Sequence, residues 1–206
     1  MNKKFQKSIL LIYIITLVIS IIGASYAYFT AVMVGDSSPK SEITSATSEV
    51  ISFNIGNDIN IYASRFNFLE GMSSLVSNTT ATAYMRFDGG TRVVKHKYDV
   101  ILDIDNNNFE YSTPEQKPEL LLTITDPNGT AVTSIEGLDY NDGFDITKKT
   151  GKYYIAKEYP LETDGEVTQE WKIAVTFVNL ETSQDINYDK VLNGHVTIER
   201  SQNDTK

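Results

Sequence analysis

The sequence predicts an all-β domain, a two-sheet antiparallel sandwich of jelly-roll type, preceded by one N-terminal hydrophobic helix. Three observations carry that prediction. Residues 9–29 hold no charge, and none follows until Asp36. Beyond Phe29 no stretch has a helical period, whereas short runs alternating apolar and polar at period two recur to the end of the chain. Between those runs stand Asp, Asn, Gly and Pro turns, and the twelve Tyr and nine Phe suit a pleated, half-buried surface. The organisation that follows is a signal peptide or membrane anchor at 1–29, a leader or linker at 30–48, an extracellular sandwich at 49–200 and a polar tail at 201–206.

The hydrophobic stretch sets the compartment. Its uncharged length exceeds the ~18 residues that span a hydrocarbon core as a helix, and over residues 9–22 only Thr16 and Ser20 interrupt the apolar run. Lys3, Lys4 and Lys7 form a basic flank that stays on the cytoplasmic side. The membrane is therefore a predicted partner, with everything after about Asp36 exported. Ser25 and Ala27 place small residues three and one before a cut that would leave Tyr28 first, the pattern a signal peptidase reads. Cleaved, the protein is extracellular; uncleaved, it is anchored at the cell surface. Both outcomes stand at this point.

Composition excludes several classes. The formal charge is −9, and the basic flank makes the exported part more acidic still, which argues against nucleic acid as a partner. With no cysteine, thiol catalysis, thiolate metal sites and disulfides drop out. About 170 residues follow the apolar segment, enough for one domain with its own core.

In chain order, a polar, Ser-rich piece at 35–41 reads as leader. Residues 49–55 alternate, and 59–62 form a second run after the Gly56-Asn57-Asp58 turn. Residues 66–77 read mainly as loop. The alternating run 79–87 meets Asp88-Gly89-Gly90, a hairpin signal, so 92–104 is expected to return as its partner and the two to form a sheet centre. Residues 120–125 end at Asp126-Pro127-Asn128-Gly129, a type I turn by composition, with 131–133 returning. Further strands are expected at 153–156, at 168–178, where Trp171, Ile173, Val175 and Phe177 share a face, and at 194–199.

The junction Gly23-Ala24-Ser25-Tyr26-Ala27-Tyr28-Phe29, the polar leader behind it and an expected terminal pairing of 171–178 with 194–199 across the loop 179–188 resemble the TasA and camelysin family of Firmicutes. The resemblance covers both ends and, in the middle, only the strand pattern. It implies a jelly-roll domain, a dedicated signal peptidase, and a role as biofilm-matrix fibre subunit or surface protein. It also implies self-assembly by strand exchange, in which the mature N-terminal segment of one subunit completes a sheet of the next. Here Phe29, Val32 and Val34 lie in the candidate donor strand, residues 28–34. The alternative is that these residues end a membrane helix.

The catalytic inventory is thin, and the reading is not an enzyme, with no cofactor. His96 and His195 are the only histidines, on separate expected strands, and no His-Glu-x-x-His motif is present. Asp103, Asp105 and Asn107 open like a calcium loop but lack glycine at the sixth position and glutamate at the twelfth, so a polar turn closing a strand is the favoured reading and metal binding the weaker one. Two functions follow: an exported structural protein assembling through strand edges, or an anchored binding module for carbohydrate or protein. In the second, tyrosines such as Tyr62, Tyr84, Tyr111, Tyr153 or Tyr154 would stack on sugars.

Overall fold

The computed structural model describes residues 41–45, 49–68, 72–88 and 92–202. The hydrophobic segment 9–29, the cleavage positions Ser25, Ala27 and Tyr28, and the donor candidates Phe29, Val32 and Val34 lie outside these residues. Among the described residues no helix is long and apolar enough to cross a membrane.

The described chain is all-β, apart from one 3₁₀ turn at Asp185–Asn187. Its strands are β1 (Ser41–Ser45), β2 (Glu49–Ile55), β3 (Ile59–Ala63), β4 (Leu75–Phe87) and β5 (Val94–Asn107), followed by β6 (Leu120–Thr125), β7 (Phe144–Asp145), β8 (Gly151–Thr163), β9 (Glu166–Phe177) and β10 (Lys190–Arg200). They form two sheets, one of order β1-β2-β4-β9-β6-β7 and one of order β3-β10-β5-β8, with every pairing antiparallel.

Alternation places one side chain in two at the shared core. In β4, Ala81, Ala83 and Met85 are buried while their neighbours are not; in β9 the buried set is Trp171, Ile173, Val175 and Phe177, as the sequence pattern predicts. Across the core from these stand Tyr98, Val100 and Leu102 of β5. Aromatic rings supply much of the buried area, each on the order of 150–250 Å². Trp171 meets Tyr159 edge-on at 4.8 Å between centroids, and Phe53 of one sheet contacts Tyr98 of the other. The polar tips are satisfied inside: Trp171 Nε1–H donates to the Tyr98 hydroxyl at 3.0 Å, which donates to Gln169 Oε1 at 2.7 Å. Burial, foremost, pushes the Tyr98 phenol up from its ordinary range.

Two expected pairings are not made. The 79–87 run and its expected return do not form a hairpin: β4 and β5 belong to different sheets, β4 between β2 and β9, β5 between β10 and β8. The chain crosses the sandwich at their connection, so a turn rich in glycine marks a reversal without naming the neighbour. Likewise 171–178 does not pair with 194–199, since β9 lies between β4 and β6 and β10 between β3 and β5. That pairing was one of the features behind the family resemblance. Two further differences are smaller. A five-residue strand, β1, sits inside the stretch read as leader. The return after Gly129 is reduced to a single bridge, Thr125 to Ala131, although the turn itself closes as expected with Gly129 N–H donating to the Asp126 carbonyl at 3.0 Å.

Candidate functional site

Sheet margins are where an antiparallel sandwich meets other chains, because unpaired backbone groups there accept a further strand. The two sheets treat their margins differently. β8 is the outer strand of the four-stranded sheet and runs for 13 residues, long enough to recruit a partner. It carries Pro160, which has no N–H to offer, opposite Lys97. It also bulges next to Tyr98: Glu158 adopts φ 51°, and its N–H donates to Asp99 Oδ1 at 2.6 Å. Lys97 and Glu158 add an exposed ion pair at 2.8 Å.

The six-stranded sheet has a step. β2 pairs with β4 only from Glu49 opposite Phe87 to Ile55 opposite Ala81, because at Gly56 the chain leaves for β3 in the other sheet. A Cβ at Gly56 would stand 2.8 Å from Thr79 Oγ1 and 2.9 Å from Thr80 N, so only glycine lets the chain turn away this close to β4. The last backbone hydrogen bond is Gly56 N–H donating to the Thr80 carbonyl at 2.8 Å; farther along, Asn60 N–H of β3 donates to the Ser77 side chain at 3.1 Å. Since backbone groups alternate sides along an antiparallel strand, those of Val76 and Asn78 point the same way as that carbonyl, toward the side β2 has vacated. Among the described residues no strand pairs with β4 there, while its opposite side is fully paired to β9 from Leu75 to Arg86. The result, among the described residues, is a short stretch of β4 without a strand on one side, next to a trough of about 270 Å³ on the outer face lined by Asn78, Thr80, Thr123, Thr125 and Lys172 around the short side chain of Ala174.

The oxygen-rich run at Asp103 is not a loop. It lies within β5, and the register with β10 slips beside Asp105, so that Gly194 faces Ile104 and Asn193 faces Asn106. Asp103 stands directly across from His195, and one donor atom from each of Asp103, Asp105 and His195 falls within 4.8 Å of the others. His195 Nδ1 lies 2.9 Å from Asp105 Oδ2, and Lys152 Nζ of β8 lies 3.6 Å from Asp103 Oδ2. Asn107 is not part of this group. Its Nδ2 donates to the carbonyls of Ile146 and Lys149 and its Oδ1 accepts from Phe109 N–H, so it ties β5 to the chain before β8. Of the three residues that open like a calcium loop, Asp103 and Asp105 converge, Asn107 is tied into backbone contacts, and His195, ninety positions from Asp105, joins the pair.

His96 is buried, with Nε2 facing Glu49 of β2 and Nδ1 2.7 Å from Arg200 Nη2 of β10. Because Arg200 can only donate, Nδ1 accepts and Nε2 carries the proton toward Glu49. This chain of three side chains ties the two sheets at one end. The tyrosines named for sugar stacking do not form one row: Tyr62 is on β3 and Tyr154 on β8, opposite margins of one sheet, and Tyr84 is in the other sheet. Tyr154 is covered by Lys157 at 4.5 Å, and the Tyr62 hydroxyl donates to Asp189, which raises its pKa. The Tyr111 phenol is pushed up to about 12 by burial and by its hydrogen bond to Asp145.

No family model matches the chain, and no curated protein matches it.

Proposed function

We propose that the protein is a non-catalytic structural component of the cell surface or extracellular matrix, exported behind residues 1–29, that assembles by adding a strand to the open edge of β4. The reading combines the leader pattern with one observation: beyond the step at Gly56 no described strand pairs with β4 on the side to which the backbone groups of Val76 and Asn78 point, while β9 holds its other side. Residues 28–34 of a second copy, apolar and without charge, supply the donor strand, with Phe29, Val32 and Val34 among the side chains it brings. Main-chain hydrogen bonds provide the attachment, and the short step limits the register to a few residues.

A jelly-roll arrangement is the finer form of this fold. It is supported by the strand order β3-β10-β5-β8 and by the crossing of successive connections from sheet to sheet: β2 to β3, β3 to β4, β4 to β5, β8 to β9 and β9 to β10.

The test is a proline at the open edge. The N–H of Asn78 faces the vacated side, so Asn78→Pro removes no bond to β9 and the domain stays folded. Protein recovered from producing cells starts at Tyr28 and forms fibres visible by electron microscopy, whereas Asn78→Pro protein stays monomeric with an unchanged circular dichroism spectrum. Fibres formed equally well by the folded Asn78→Pro variant would overturn the edge assignment.

A further inference from the structure

We propose that Asp103, Asp105 and His195 form a binding site for a divalent metal ion of the zinc class on the outer face of the four-stranded sheet. The inference stands on geometry independent of assembly, since none of the three residues lies on the open edge. The donor set is one imidazole nitrogen and two carboxylates, each from a different position of a hydrogen-bonded strand pair. That mixture distinguishes it from an acidic surface patch. Imidazole selects zinc and its transition-metal neighbours, while calcium asks for six to eight oxygens, which this face does not assemble once Asn107 is committed elsewhere.

The backbone places these donors. Asp103 and Asp105 share the outer face of β5 by alternation, with Ile104 buried between them. The register slip inserts Asp105 as the extra residue opposite Gly194 and Asn193, and a Cβ at Gly194 would lie 2.7 Å from the Asp103 carbonyl oxygen, so the strands close up only because residue 194 is glycine. His195 follows immediately and points to the same face as Asp103, its cross-strand partner. Ligand atoms about 2.1 Å from a tetrahedral zinc stand about 3.4 Å apart. The present spread of up to 4.8 Å closes to that spacing by side-chain rotation, without moving the strands. The His195 Nδ1 and Asp105 Oδ2 atoms, at 2.9 Å, already stand close enough to face one ion. Lys152, at 3.6 Å from Asp103, would be displaced. Three protein ligands leave a position open to water or to a further donor.

The experiment is calorimetric titration of Zn(II) into the chelator-treated full chain in detergent, with calcium as comparison. The expected result is saturable binding of one zinc per chain. Affinity falls at least tenfold in both His195→Ala and Asp105→Asn and is unchanged in Glu136→Gln, a fully exposed carboxylate elsewhere. Circular dichroism verifies the fold of each variant, and Asp105→Asn decides the matter alone if His195→Ala does not fold. Absence of saturable zinc binding, binding unaffected by the folded variants, or calcium binding tighter than zinc would overturn the proposal.

Discussion

The outer strand of the four-stranded sheet and the open stretch of β4 pose the same physical problem and receive opposite treatment. β8 is long, and it is blunted three ways, by Pro160, by the bulge at Glu158 held by Asp99, and by flanking charges. The stretch of β4 beyond Gly56 is short and carries none of these devices. Its residues, Leu75 to Thr80, include no proline and no charge, and their register with β9 is unbroken. Of these two margins, the longer carries devices against strand addition and the shorter does not. That contrast is the physical basis for proposing the step, rather than β8, as the place where another strand would be received.

The largest effect should come from moving a proline by one residue along β4. Asn78 faces the vacated side and Thr79 faces β9, so Thr79→Pro removes a ladder bond from the middle of the six-stranded sheet and forces a buried, close-packed position to change. The expected cost is more than ~3 kcal/mol, read as unfolding or a collapsed denaturation midpoint. Asn78→Pro costs little by comparison. Equal stability losses in the two variants would mean that the side assignment along β4 is wrong and the comparison fails at its root.

That alternation was legible in the residues themselves. The pattern at Trp171, Ile173, Val175 and Phe177 gave the buried face of β9, and residues 49–55 gave β2 with its bounds. Period two states which face is buried; it carries no information about the neighbour, because an inward face packs equally well whichever strand lies beside it. This is why β4 and β5 were expected to pair and instead sit on opposite sides of the core. The same limit applies to the cluster of Asp103, Asp105 and His195. Asp103 and Asp105 are close in sequence and could be picked out, but His195 reaches them only through the pairing of β10 with β5, and Asn107 looked like a ligand because its structural bonds to Ile146 and Lys149 are equally remote. The step itself was hinted at by Gly56, whose meaning became plain only with β2 and β3 in separate sheets.

A middle-sized effect should follow from loosening the guard on β8. Asp99 Oδ1 accepts the N–H of Glu158, the residue that bends β8 out of regular pairing. Asp99→Ala leaves that donor without its carboxylate and is expected to cost about 1–2 kcal/mol in denaturant unfolding. Asp99→Asn keeps an acceptor oxygen and should recover part of the loss, which separates the hydrogen bond from the effect of charge. An alanine variant as stable as the original would show that the bulge holds itself.

The smallest effect on stability, and the most telling for the comparison, belongs to Pro160. Its side chain is exposed, and β8 has no partner on its outer side among the described residues. Pro160→Val restores an N–H and a β-branched side chain at a position that strands favour, so the unfolding midpoint should move by no more than about 0.5 kcal/mol. What should change is adhesion. With the proline gone, the long margin of β8 becomes a second place for strand addition, and light scattering at high protein concentration should rise relative to the original chain. The double variant Asn78→Pro with Pro160→Val then isolates the two margins. If it associates, β8 was kept monomeric by its proline, and the open edge of β4 is the margin that the native chain leaves available. If it stays monomeric, the bulge and the charges guard β8 without the proline, and the contrast between the two edges rests on backbone shape instead of on one missing donor.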